Sequence, residues 1–166
     1  MTLAFDPAEV TGPGGHYIGG HYVPAGEEMT VTAPSNGAEL GAVPRADAAI
    51  VDRAVEAART ALRSSGWGRA APRDRLRALH RWADLIEEEA TTLARLEAVC
   101  SSRPVADAVA GDIPVTAEQI RFFAEFADKE CDALAPTQEG SLGMVTSEPH
   151  GVVGAITPWN FPISMA

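Results

Sequence analysis

Lysine and arginine are scarce in this 166-residue sequence, 13 against 23 aspartates and glutamates, for a net charge of −10. A nucleic acid or an anionic membrane surface needs basic patches, so this balance argues against both as partners. Cysteine occurs twice, at Cys100 and Cys131, neither with a neighbouring cysteine nor with a histidine at metal-ligand spacing. That pattern excludes a disulfide framework and points to a reducing compartment, hence an expected cytoplasmic location. Both thiols fall in stretches of helical periodicity, where buried, inert cysteines are expected. No apolar run approaches the roughly 18 residues that would span a bilayer. The start, Met1-Thr2-Leu3-Ala4-Phe5-Asp6-Pro7, has neither the basic n-region nor the apolar h-region of a secretory signal. There is no internal repeat and no low-complexity tract. What is present is ordinary: 46% hydrophobic and 22% charged residues, enough for one globular domain with a real core.

Taken in order, residues 1–15 read as a flexible lead-in without periodicity. Extended pieces at 16–18 and 21–23, separated by Gly19-Gly20, predict a hairpin. A second pair, 28–32 and 39–43, flanks Pro34-Ser35-Asn36-Gly37, whose Asn-Gly supplies the positive φ of a turn. His16 and His21 lack a third ligand and are expected as exposed strand histidines rather than a metal pair. From Asp47, a capping residue, the period becomes helical, and Val51, Ala54, Val55, Ala58 and Leu62 form one face. Gly66-Trp67-Gly68 ends that helix and Pro72 starts the next, with Leu76, Leu79, Ala83 and Ile86 as its buried stripe beside Trp82 and Leu85. Glu87-Glu88-Glu89 is a solvated acidic patch. Leu93, Leu96 and Cys100 mark a short helix ended by Ser101-Ser102-Arg103-Pro104. Ile113, Ala117, Ile120, Ala124 and Ala127 mark a longer one, with Phe122, Phe123 and Phe126 expected in the core. Ala135-Pro136 reads as a linker and 141–148 as an extended segment.

The last stretch organises the rest. Gly151-Val152-Val153-Gly154-Ala155-Ile156 is apolar and uncharged, as parallel strands buried on both faces are. Thr157-Pro158-Trp159-Asn160 breaks it, and Pro162 suits the first turn of a helix. The expectation is strand, tight turn and helix start, and ligands of open α/β sheets sit beyond the carboxyl ends of such strands. Asn160 has two readings. Its carboxamide can cap the helix, the commoner role for asparagine at such a place, or it can donate to negative charge forming on a substrate oxygen. Trp159 reads as packing beside the strand.

Pro158-Trp159-Asn160-Phe161-Pro162, preceded by that apolar run, resembles the segment opening the cofactor domain in the aldehyde dehydrogenase superfamily. From about Tyr17 onward other segments are similar to the family in order and spacing. They are Tyr17-Ile18-Gly19-Gly20-His21-Tyr22-Val23, Pro34-Ser35-Asn36-Gly37-Ala38-Glu39-Leu40, Val55-Glu56-Ala57-Ala58-Arg59, Ala83-Asp84-Leu85-Ile86-Glu87, and the run from Phe122 to Lys129. One departure stands out: Cys100-Ser101-Ser102-Arg103-Pro104 replaces the family's acidic-Thr-Gly-Lys-Pro turn, which is expected to lie remote from the chemistry.

The resemblance implies an α/β fold, the N-terminal part of an aldehyde dehydrogenase-like fold: β-hairpins, a helical segment, and the first strand of a Rossmann-like parallel sheet. The implied division is a lead-in over 1–15, hairpins and helices over 16–140, a bridging or oligomerisation strand over 141–149, and the truncated first strand and turn of the dinucleotide-binding sheet over 150–166. The implied reaction is NAD(P)-dependent oxidation of an aldehyde to a carboxylic acid through a thioester, with Asn160 as oxyanion donor. Ile156, Thr157, Pro158 and Trp159 would line the nicotinamide end of an NAD or NADP site. Asp112 falls where some members hold a structural monovalent cation, with backbone carbonyls near Val31 and Thr32; a solvent-exposed aspartate is the alternative. The family's nucleophilic cysteine, general-base glutamate and phosphate-binding glycine loop match nothing here, so the chain is expected to be an N-terminal portion, inactive alone and homo-oligomeric when full length. A non-catalytic truncated homologue or a scaffold module is the alternative.

Overall fold

A computed structural model of the chain describes residues 3–12, 14–24 and 26–166. The lead-in over 1–15 therefore includes three positions, Met1, Thr2 and Pro13, that lie outside the described residues. Two hairpins come first. Strands β1 (His16–Ile18) and β2 (His21–Val23) pair antiparallel around Gly19 and Gly20, whose φ values of 59° and 88° are those of a hairpin turn glycine adopts without strain. Strands β3 (Glu28–Thr32) and β4 (Glu39–Pro44) pair likewise, with a register shift at Val31/Thr32. Their connection is closed by Asn36, whose Oδ1 accepts from Ala38 N at 2.9 Å, and by Gly37 at φ 71°. Both hairpins fall where the glycine and asparagine signals place them.

The helices follow. Asp47 caps α1 (Ala48–Ser64), its Oδ1 accepting from Ile50 N at 2.9 Å. Pro72 opens α2 (Pro72–Glu88), and α3 (Ala90–Ser101) follows after a single residue. A short α4 (Val105–Asp107) widens into a π-helical turn, Ala108–Asp112, before α5 (Ile113–Glu125). Pro114 explains the widening: it has no N–H to give the carbonyl four residues back, so the regular ladder cannot run through that point. Strand β5 (Ala133–Ala135) pairs antiparallel with β6 (Gly143–Val145), and α6 (Pro162–Met165) closes the described chain. Among the described residues no helix is long and apolar enough to cross a membrane.

The core lies where α2, α3, the π turn and α5 meet. Ile86, Ala94, Ala108 and fully buried Ile113 form it, with Leu93, Val105, Ile120 and, from α6, Ile163 packed against them. Small residues, Ala83, Ala117 and Ala124, are completely buried and let α2 and α5 approach closely. Arg121 of α5 then ties the pair from the side, donating to Asp84 at 2.7 Å and to Glu87 at 2.5 Å.

Four expectations change. Phe122, Phe123 and Phe126 do not enter the core; they stack edge-to-face on the outer side of α5, with Phe123 71% exposed. The apolar face of α1 buries only Ile50, leaving Val51 and Leu62 in solvent. Both cysteines are exposed residues rather than core ones, although the Cys100 thiol itself is partly shielded, and Cys131 lies outside any helix. Residues 151–156 form no strand: Val153 and Ile156 face solvent, since a parallel strand takes its hydrogen bonds from neighbours and none runs beside it among the described residues.

Candidate functional site

The five residues singled out by sequence, Ile156, Thr157, Pro158, Trp159 and Asn160, form one continuous exposed stretch leading into α6. Ile156 is fully exposed and Trp159 78% exposed, so neither packs against the domain as a structural aromatic or aliphatic would. Phe161 occupies the cap position of α6, with φ −140° and ψ 66°, and no side chain accepts from the helix's first donors. The capping role open to Asn160 is therefore not taken up. Asn160 is exposed at the start of a helix, and its carboxamide makes no hydrogen bond among the described residues.

What fixes this turn lies on the other elements. Ile163, partly buried, packs against the core cluster that includes Ile113. The Ser164 hydroxyl lies 3.1 Å from Thr116 Oγ1, and the Thr116 hydroxyl itself donates to the Asp112 carbonyl at 2.7 Å. Thr116 has one proton and has given it away, so Ser164 is the donor of that pair. Phe161 is held on its ring face by Arg103, whose guanidinium carbon sits 5.3 Å from the ring centroid. Arg103 is in turn gripped by Asp112, Nε to Oδ2 at 2.6 Å and Nη2 to Oδ1 at 3.0 Å.

Two expectations are corrected here. Asp112 is not a solvent-exposed aspartate: it is buried, and its carboxylate is paired with Arg103. The Cys100–Pro104 turn is not remote, because Arg103 reaches the turn that carries Asn160. Ser102 makes this geometry by adopting the left-handed conformation (φ 59°, ψ 20°) at the end of α3, the place a glycine commonly fills. Sequence reasoning missed the pairing, although an arginine and an aspartate nine residues apart on either side of a helix break were visible signals.

A second acid adjoins the pair. Glu97 of α3 is buried, 4% exposed, and neither carboxylate oxygen has a hydrogen-bond partner among the described residues. Burial, reinforced by Asp112 and opposed by Arg103, pushes its carboxyl above the ordinary range. Cys100, one turn on, is pushed up as well, by burial and then by Glu97. A thiol so placed is the opposite of an activated nucleophile.

Beside α6 a groove of about 510 Å³ runs between α2 and α5, floored by Ile86 and Ile120 and rimmed by Trp82 and Phe123. Its wall includes Ile163–Met165 but none of residues 156–160. The structure thus gathers the predicted residues on one exposed turn, outside this groove.

Comparison with known proteins bears on this arrangement. The sequence pattern that defines the aldehyde dehydrogenase family matches residues 22–166. The chain is 37% identical over 149 residues to the NADP/NAD-dependent aldehyde dehydrogenase of Escherichia coli, covering 89% of this chain and 30% of that protein. It is 39% identical over 140 residues to the aminoacetaldehyde dehydrogenase of Pseudomonas aeruginosa, covering 84% of this chain and 28% of that protein. Among solved structures, the indole-3-acetaldehyde dehydrogenase of P. syringae in complex with NAD+ superposes with a TM-score of 0.90 at 40% identity, covering 96% of this chain and 32% of that one. The chain spans about a third of the length of the relatives it matches.

Proposed function

We propose, on the premise that the chain belongs to the aldehyde dehydrogenase family, that it is the N-terminal part of an NAD(P)-dependent enzyme oxidising an aldehyde to a carboxylic acid through a thioester. The observation that carries the reading is the unspent carboxamide of Asn160, exposed at a helix start whose cap it does not make. When a thiolate adds to an aldehyde carbonyl, the oxygen gains negative charge. A fixed amide N–H₂ at hydrogen-bond distance stabilises that charge more than it stabilises the neutral carbonyl, and such a donor is worth about 3–4 kcal/mol of barrier.

The remaining roles follow from character and place. Residues 156–159 offer an uncharged surface with one flat indole ring, which suits the nicotinamide end of NAD or NADP. When bound, that nucleotide accepts the hydride leaving the substrate carbon. This chain's part is to present the surface and the amide donor. Cys100 and Cys131 take no nucleophilic role, since neither occupies the family's nucleophile motif and the Cys100 thiol is pushed up by partial burial and by Glu97. The nucleophile and the base that activates the hydrolytic water belong to the remainder of the full-length protein. The division of the chain into hairpins and helices over 16–140, a bridging strand over 141–149 and the opening of the nucleotide sheet over 150–166 belongs to the same proposal.

Homo-oligomerisation belongs to it too. The β5–β6 hairpin turns Leu134, Met144 and Val145 to solvent, each at least 60% exposed, and a two-stranded ribbon with free edges and an apolar face invites a further strand. The test of the catalytic reading is reduced-nucleotide formation by the full-length protein across a panel of aldehydes, with Asn160→Ala alongside.

A further inference from the structure

Asp112 joins, through its carboxylate and its backbone carbonyl, both ends of the segment that follows Asn160. Its carboxylate holds Arg103 in a two-point grip, and the outer face of that guanidinium lies on the Phe161 ring. Its backbone carbonyl accepts from Thr116, which accepts from Ser164. Between these two anchors Ile163 packs against the core. The short helix α6 has only four residues and no side-chain cap, so its own hydrogen bonding cannot fix its direction. The direction of the preceding residue, Asn160, is then set by these contacts.

We propose that Asp112, acting through Arg103 and Thr116, is the positioning residue for Asn160. The proposal rests on the reading of Asn160 as a donor to substrate oxygen. Three details of the chain fit this role. The π-helical turn Ala108–Asp112 brings Asp112 inward instead of leaving it on an outer face. The left-handed Ser102 aims Arg103 back across α4. The neighbouring acid, Glu97, makes no hydrogen bond among the described residues, so it does not compete with Asp112 for the Arg103 fork. Arginine suits this place better than lysine, because a planar fork binds a carboxylate along its edge while offering a face to an aromatic ring.

The test has a spectroscopic and a kinetic arm, both in the full-length protein. The Arg103 Nε–H resonance reports the stack directly, since a proton above an aromatic face is shifted upfield. Phe161→Leu is expected to move it downfield while leaving it observable, because Asp112 still holds the group; an unchanged position overturns the contact and the proposal with it. In turnover, Asp112→Asn and Arg103→Ala are expected to lower kcat about tenfold to a hundredfold, the scale of a misplaced group, with KM for the nucleotide little changed. Arg103→Lys, which keeps a charge but loses the fork, is expected to recover only part of that loss. Wild-type kcat in a folded Asp112→Asn enzyme overturns the positioning role, and if Asn160→Ala is impaired the donor reading survives. Wild-type kcat in Asn160→Ala instead defeats the donor reading itself. Should Asp112→Asn fail to fold, Phe161→Leu with Arg103→Lys decides the matter on the same readouts.

Discussion

Arg103 and Asp112 face each other edge to edge, with both hydrogen bonds at or below 3.0 Å, and the same guanidinium covers the ring of Phe161. The pair spans a helix break and reaches the turn that carries the proposed oxyanion donor. A break of the chain between α3 and α5 is thereby converted into a support for residues some fifty positions later. Buried charge pairs are a weak source of net stability, because desolvation offsets most of the attraction. Their use here is geometric.

Asn160 and Asp47 both sit just ahead of a helix, and they should respond differently to truncation. Asp47 accepts from Ile50 N and caps α1, so Asp47→Ala is expected to cost about 1 kcal/mol. Asn160 caps nothing, so Asn160→Ala is expected to leave the melting temperature within about 1 °C. Calorimetry of the two variants beside wild type separates the roles; a cap-sized loss at Asn160 would return it to a structural one.

Ser102 pays a conformational cost that glycine would not. At φ 59° a Cβ is crowded by about 1 kcal/mol, so Ser102→Gly is expected to raise the melting temperature by about 2–4 °C with the end of α3 unchanged. A lower melting temperature would mean that the serine side chain, or its stiffening of the unfolded chain, matters more than the strain.

Glu97 gives the fold a pH dependence of definite sign. Its folded carboxyl holds its proton more tightly than in the unfolded chain, through burial first and Asp112 second, against the pull of Arg103. The stability it contributes is present at low pH, below the ordinary carboxylate range, and is lost as pH rises through the raised value. Glu97→Gln cannot ionise, so it is expected to melt higher than wild type at neutral pH, with the gap closing on acidification. Melting curves across that range check this; an equal gap at all pH values would contradict it.

Much of the scaffold could be read from the residues. Gly19-Gly20 and Asn36-Gly37 mark their turns because positive φ selects those residue types, and Asp47 and Pro72 mark helix starts because each solves the problem of unpaired N–H groups. Burial was less legible. Periodicity shows that α1 and α5 each have an apolar face; it does not show whether anything covers it, and Val51, Leu62 and Phe123 are left uncovered. Strand β5, only Ala133–Ala135, has no β-branched residue to announce it. Residues 151–156 have a strand's composition without a strand's neighbours. The Arg103–Asp112 pair needed three dimensions, since a left-handed serine and a π turn bring them together.

The central claim is that the amide of Asn160 stabilises charge on a reacting carbonyl oxygen. Steady-state formation of reduced nucleotide by the full-length protein, wild type against Asn160→Ala, tests it most directly. The account predicts a kcat lower by about two to three orders of magnitude in a variant that folds normally. Turnover near the wild-type value would contradict it.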